Sequence, residues 1–207
     1  MIYIINKENR AANQSLIASA MRLRYRVFKQ RMGWEVKTIG DQEKDEFDSL
    51  PDTIHILHVS ANGEVDGCVR LLSTAGPNML SDIFGTLLDG QKAPCSPQIW
   101  ESTRFAVDQD NSSKPGIITA RLLDAMVEVG VIYGLKNMVA VTDLIMERIL
   151  KRNCLCMERI GQVHQMGKTK AVASNIEVDL DSLQQLRAYS GIKHSQIYMA
   201  PWIREAA

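Results

Sequence analysis

An excess of charge of one sign is missing from this sequence. Lys plus Arg is 24 and Asp plus Glu is 24, so no net field draws the chain to nucleic acid or to an anionic membrane, and any charge logic is local. Long apolar runs are missing too. No stretch approaches the roughly eighteen apolar residues of a spanning helix. The opening MIYIINKENRAANQ has no basic lead before an apolar block, so no secretory signal is expected. Cysteine is scarce. Cys68, Cys95, Cys154 and Cys156 fit neither a zinc knuckle nor a C-x-x-C redox pair, and reduced, mostly packed thiols in the cytoplasm are expected.

Simple catalytic motifs are absent as well. There is no G-x-S-x-G elbow, P-loop or Rossmann glycine triplet. Nor is there the Gln/Arg-x-x-Gly-x-Gly/Ala loop with which acetyltransferases hold coenzyme A pyrophosphate. His55, His58, His164 and His194 lack metal-ligand spacing, so no metal site is expected.

What is present suits one core. The 207 residues, 45% hydrophobic, are too few for two comfortable domains, so a single domain over 1–207 is expected. Leu16, Ala20, Leu23 and Val27 mark a buried helical stripe, and the same helix carries Arg22, Arg24, Arg26, Lys29 and Arg31. Residues 35–52 reverse the sign and read as an acidic loop beside that basic helix. Strands are expected at 54–60 and 65–73 around an Asn62-Gly63 turn, with a short helical piece at 83–88. The WESTRFAVD strand and the polar loop DQDNSSK follow. Pro115 opens a helix stopped by Gly134, then come a strand at 138–142 and a helix capped by Asp143. Further strands are expected at 154–163 and 171–178. A last helix is expected to start at a capping box of Asp181 and Gln184 and to end at Gly191. Helices alternating with strands indicate an α/β sandwich on a mixed sheet.

Charged residues recur beside aromatic or apolar ones: Arg24 with Phe28, Trp34 before the acidic loop, Asp45 and Asp48 around Phe47, Arg70 inside an apolar strand, and Glu101 with Arg104 in WESTRFAVD. Such charges are costly indoors unless each has a partner or a task. The bland reading is a salt-bridge network tying helix, loop and sheet. The sharper one is chemistry on a substrate. Glu101 and Arg104 also differ in strand parity, so either they serve different layers or a bulge intervenes.

Read in order, LRYRVF, GWEV, DEFD, GCVRLL, GPNML and ESTRF resemble the acyl-homoserine-lactone synthases, the LuxI-type autoinducer synthases. Arg24, Phe28, Trp34, Asp45, Asp48, Arg70, Glu101 and Arg104 match that family's pattern in order and spacing, and the similarity runs from about residue 16 to 178.

The resemblance implies an acetyltransferase-like (GNAT-like) three-layer α-β-α sandwich with a V-shaped cleft. Residues 1–52 would form its S-adenosylmethionine side and 110–207 its acyl side. It implies transfer of an acyl group from acyl carrier protein, or from acyl coenzyme A, to the amine of S-adenosylmethionine. Lactonisation and release of methylthioadenosine follow. S-adenosylmethionine is then a co-substrate and no separate cofactor is implied. Glu101, as base, and Arg104 become the candidate catalytic residues, and Arg24, Phe28, Trp34, Asp45, Asp48, Arg70, Arg104 and Phe105 build or line the nucleotide site. An acyl tunnel would be lined by Leu122, Met126, Ala140, Thr142, Met146, Ile149 and Leu150. Arg148, Lys151, Arg152, Arg159, Lys168 and Lys170 offer a basic face to an acidic carrier. Two other readings stay open: an acyl-coenzyme-A-dependent N-acyltransferase of the same superfamily, and a non-catalytic protein that binds S-adenosylmethionine or acyl carrier.

Overall fold

The computed structural model describes residues 1–109 and 114–198. Part of the expected polar loop, residues 110–113, lies outside them. In chain order the elements are β1 (Ile2–Ile5), α1 (Gln14–Arg24), β2 (Thr38–Ile39), β3 (Gln42–Glu43), β4 (Ile54–Val59), β5 (Val65–Ser73), α2 (Met79–Asp82) and β6 (Ile99–Val107). Then come α3 (Pro115–Ile132), β7 (Asn137–Asp143), α4 (Leu144–Arg152), β8 (Met157–Arg159), β9 (His164–Met166), β10 (Thr169–Glu177), α5 (Leu180–Ser190) and β11 (Ile197–Tyr198). Antiparallel β1–β4, β4–β5 and β7–β10 pairs coexist with parallel β1–β11 and β6–β7 pairs. The α/β reading with mixed pairing is what the chain adopts.

Two compact units partition the chain. One holds Met1–Leu71, Arg104–Met126 and 194–207; the other holds Leu72–Thr103 and Val127–Lys193. Strand β6 and helix α3 each give residues to both.

In the first unit β11, β1, β4 and β5 lie in that order, and α1 packs on them. Ile17, Ala20, Met21 and Leu23, with Val27 and Phe28 beyond, bury against Ile5, Leu57, Val59 and Cys68. The helical stripe expected from the sequence is therefore real, though Leu16 stays at its margin. After Arg24 the helix widens into a π-turn over Tyr25–Arg31. The Asn62-Gly63 turn closes the β4–β5 hairpin with Gly63 in the left-handed region at φ 82°. Gly67 of β5 lies so close to α3 that a Cβ there would sit 2.5 Å from Ile118 Cγ2.

The second unit runs β7, β10, β8 beside residues 99–102 of β6, with β9 folded back on β10. One face packs Val139, Ala171 and Ala173 against Leu80, Leu87 and Leu88. The opposite face meets the end of α3, where a Cβ on Gly130 would strike Val178 and Met138.

Several local expectations shift. The short helix splits into α2, capped by the Asn78 side chain accepting from Ser81 N, and a 3-10 turn at Gly85–Leu88. The strand expected over 154–163 shrinks to β8, between Cys154 at φ 61° and Gly161, where a Cβ would lie 2.1 Å from Leu87 O. The last helix is capped by Asp179, whose carboxylate accepts from Ser182 N, rather than by Asp181 and Gln184. It does end at Gly191, with φ 73°. Of the cysteines only Cys68 is buried; Cys95 and Cys156 are exposed. Burial pushes the Cys68 thiol up to about 12.

Candidate active site

Three arginines and three carboxylates close a ring in the first unit. Arg24 spans Glu43 and Asp48, holding Asp48 with two parallel bonds of 2.7 and 2.8 Å. Arg70 spans Asp48 and Asp45 at 2.7 and 2.5 Å. Arg104 spans Asp45 and Glu43 at 2.7 and 3.0 Å. Each guanidinium thus touches two acids and each acid two guanidinia, so the formal charges cancel within the ring. The local backbone explains the acids' positions. Asp45 and Asp48 form a reciprocal capping box on the turn Glu46–Ser49, and Glu43 ends the small β2–β3 hairpin.

The ring is almost dry. Side-chain exposure is 2% or less for Arg24, Arg70, Glu43 and Asp48, against 16% for Arg104. Burial disfavours the charged form of Asp48, but Arg24 and Arg70 outweigh it and hold its carboxyl well below the usual range. Arg24 is driven the other way: burial works against its charge, and Asp48 and Glu43 overcome it, raising its pKa. His55, which pairs with Arg70 across the β4–β5 ladder, is pushed down to about 3, by burial first, and stays neutral.

Arg104 is the corner nearest solvent. It lies over the Phe28 ring at 5.9 Å, and Phe28 stacks on Trp34 at 5.4 Å with an interplanar angle of 1°. Phe105 and Trp34 are both partly exposed. Arg70 lies over Phe47 at 5.8 Å. The structure therefore gathers Arg24, Phe28, Trp34, Asp45, Asp48, Arg70 and Arg104 around one locus. It adds Glu43, which nothing in the acidic stretch QEKDEFD distinguishes from its neighbours. It also narrows the charge pairing expected between helix and loop. Arg24 reaches the loop, while Arg26 pairs with Asp108 at 2.9 Å.

The parity conflict in WESTRFAVD is settled by the backbone. Arg104 sits within β6 at φ 55°, a left-handed kink that breaks the alternation. Before the kink, in the second unit, Glu101 is fully buried in register with Val139. Its Oε2 accepts from Met79 N at 2.7 Å. The Met79 amide thus holds one oxygen of this buried carboxylate.

The acyl-lining candidates fall in both units. Leu122 and Met126 are buried in the first; Ala140 and Leu150 are buried in the second, with Thr142, Met146 and Ile149 partly so. The basic candidates are all exposed in the second unit. Arg148, Lys151 and Arg152 share one face of α4. Two bases are not independent: Lys151 and Arg159 both hold the Glu147 carboxylate, at 2.9 Å and at 2.8 Å on each oxygen. Among the described residues no His, Cys, Asp and Glu group has metal-site geometry.

Comparison with known proteins bears on the whole chain. The autoinducer synthase family profile matches residues 8–186. A probable acyl-homoserine-lactone synthase of Sinorhizobium fredii is 38% identical over 191 residues, covering 90% of this chain and 91% of the relative. The crystal structure of the synthase LasI superposes with a TM-score of 0.82 at 33% identity, over 91% of this chain and 94% of that one. A coenzyme-A-dependent synthase, BjaI, solved with S-adenosylmethionine and isopentyl-coenzyme A, shares the fold at a TM-score of 0.86 and 22% identity, over 100% of this chain and 98% of its own. The profile match over most of the chain, the 38% identical relative and the LasI structure agree: this chain belongs to the acyl-homoserine-lactone synthases, a family of acyltransferases.

Proposed function

We propose that the protein transfers an acyl group from acyl carrier protein to the amine of S-adenosylmethionine, then closes the lactone and releases methylthioadenosine as it makes a quorum-sensing signal. The observation that carries the reading is Glu101: a fully buried carboxylate held by Met79 N, three residues before the kinked Arg104. It takes a proton from the substrate ammonium, directly or through a water. The freed amine attacks the thioester carbonyl carbon, the C–S bond breaks, and the carrier leaves as a thiol. The substrate carboxylate then attacks the carbon beside the sulfonium, expelling methylthioadenosine. Atoms and charges balance with no further cofactor.

Roles divide by exposure. Arg24, Arg70, Asp45, Asp48 and Glu43 spend their charges on one another and position the corner. Arg104, Trp34 and Phe105 form the surface offered to the nucleotide, an aromatic face against a cationic sulfonium and an adenine, with the buried Phe28 backing Arg104 and Trp34. An acidic carrier docks on Arg148, Arg152, Lys168 and Lys170, together with Lys151 and Arg159. No helix among the described residues is long and apolar enough to cross a membrane, and the work belongs in the cytoplasm, where carrier thioesters are made. The acyl chain runs past Ala140, Thr142, Met146, Ile149 and Leu150 of the second unit. Ala140 offers no donor to a 3-oxo group, which would be buried at a cost of about 1–3 kcal/mol. Unsubstituted or 3-hydroxy chains are therefore preferred, and Ala140→Thr shifts products toward 3-oxo.

Incubation with S-adenosylmethionine and matched acyl-carrier and acyl-coenzyme A donors, followed by mass spectrometry, tests the reading. Lactone and methylthioadenosine in equal amounts, faster with carrier, are expected. A simple N-acyl product, or binding without turnover, would overturn it.

A further inference from the structure

Three contacts fasten the π-turn over Tyr25–Arg31 to the strand that carries Arg104. Phe28 faces the Arg104 guanidinium at 5.9 Å. Just before it, Arg26 donates to the Asp108 carboxylate at 2.9 Å. At the turn's end, Arg31 donates to Val107 O at 3.4 Å, a long bond. Both arginines therefore grip β6 where it ends, beyond the left-handed kink at Arg104.

Asp108 is a fixed post. Its amide donates to Asp66 O of β5 at 2.9 Å, and its side chain is only 7% exposed. A carboxylate so buried is costly without a cation, and Arg26 comes to it from 82 residues away in the chain. The turn is the looser partner. A π-turn spaces its backbone bonds wider than an α-helix does, and such turns recur at functional sites. Met32 N reaches back to Val27 O in that wider spacing, and Trp34 N donates to Phe28 O, so Trp34 follows wherever the turn goes. The Arg26 side chain is 43% exposed, and a pair with so exposed a cation adds little to global stability. What it sets is how close the stacked Phe28 and Trp34 stand to Arg104.

Resting on the acyl-transfer reading above, we propose that Arg26 is a positioning residue for the S-adenosylmethionine corner. Through Asp108 it pins the π-turn to β6, which keeps Phe28 against Arg104 and Trp34 against Phe28 before any ligand arrives. With the pin gone, the turn pivots on the buried Val27 and Phe28. Fewer molecules then carry a formed aromatic wall, and affinity for the nucleotide falls by that fraction.

The test uses the full chain and two readings: calorimetric binding of S-adenosylmethionine without acyl donor, and steady-state constants for both substrates. Arg26→Ala weakens S-adenosylmethionine binding and raises its KM by about tenfold, the scale of one charge-assisted hydrogen bond. The kcat at saturation and the KM for the acyl donor stay within about twofold of the parent, as loss of uniform binding requires. Arg26→Lys keeps most of the affinity, and Asp108→Asn weakens it as Arg26→Ala does. The double variant binds no more weakly than either single one, because both residues act through one contact; additive losses would overturn the assignment. So would a fall in kcat with both KM values unchanged, the mark of a purely structural role that lowers only the amount of folded enzyme. If Arg26→Ala folds poorly, Arg26→Gln keeps the apolar stem and gives the same comparison. A parent that binds S-adenosylmethionine no more tightly than Arg26→Ala overturns the pin alone. A parent that neither binds it nor makes lactone overturns the acyl-transfer reading, and the pin with it.

Discussion

The ring in the first unit and the Glu147 cluster in the second are built from the same chemistry, arginine and lysine against carboxylate, yet they are different objects. In the ring, three cations and three anions bury one another, with Arg24 and Asp48 side chains at 2% and 0% exposure. At Glu147 one carboxylate is held by Lys151 and Arg159, which are 51% and 44% exposed. The ring is neutral as a unit and dry, so each member depends on the others. The cluster leaves positive charge at the surface, where salt screens it. Both carboxylates are buried, Glu147 at 4% side-chain exposure; burial of the cations, more than the number of ion pairs, separates scaffold from docking face.

Breaking the ring should show this most strongly. Asp48→Asn keeps the shape but leaves Arg24 and Arg70 short of a charge, and a loss of about 3–5 kcal/mol in urea unfolding is expected. A loss below about 1 kcal/mol would mean the ring is not the scaffold described.

Glu101 stands apart from both networks, because its task is a proton rather than a fold. Glu101→Gln should leave the melting temperature nearly unchanged while lowering turnover about a hundredfold or more. Turnover within a factor of a few of the parent would remove Glu101 from the mechanism.

The ring's surroundings also carry a pH signature. Folded His55 stays neutral down to about 3, while its unfolded form titrates near 6.5. Between those values the unfolded chain holds the extra proton, so stability is full above pH 6.5 and falls as the pH drops toward 3. The slope approaches at most about 1.4 kcal/mol per pH unit. The depressed pKa of Asp48 adds its loss only below the ordinary carboxylate range, about pH 4. His55→Gln should flatten the stability curve between pH 6 and 4.5 and leave the steeper acid limb. An unchanged curve would place the linkage elsewhere.

On the exposed side, reversing Lys151 and Arg152 to Glu should raise the KM for acyl carrier several-fold while barely moving that for S-adenosylmethionine, and added salt should mimic it in the parent. Equal changes in both constants would argue against docking there. The mildest change is Glu147→Gln. It frees Lys151 and Arg159, and should shift the melting temperature by no more than about 3 °C, with the KM for carrier unchanged or lower. A collapse in stability like that of Asp48→Asn would erase the distinction between the two networks.

Much of this was legible from residue order. The α1 stripe, the Asn62-Gly63 hairpin, the Asp143 cap and the Gly134 and Gly191 stops are local devices, set by periodicity and by backbone conformations few residues adopt, and they stand where expected. The family pattern identified the charged residues because each is a discrete type at a characteristic spacing. What sequence alone left open was which charge meets which. Glu43 looks like any acid in QEKDEFD, and it completes the ring only because the β2–β3 hairpin brings it between Arg24 and Arg104. The two sides of WESTRFAVD part company through one φ angle at Arg104, a conformation no alternation of apolar and polar residues reveals. Arg26 finds Asp108, 82 residues away, only once the π-turn lies along β6. Local pattern determined the elements, because caps, turns and stripes act within a few residues. Tertiary structure alone decided the pairings, because a buried charge takes its meaning from residues distant in the chain.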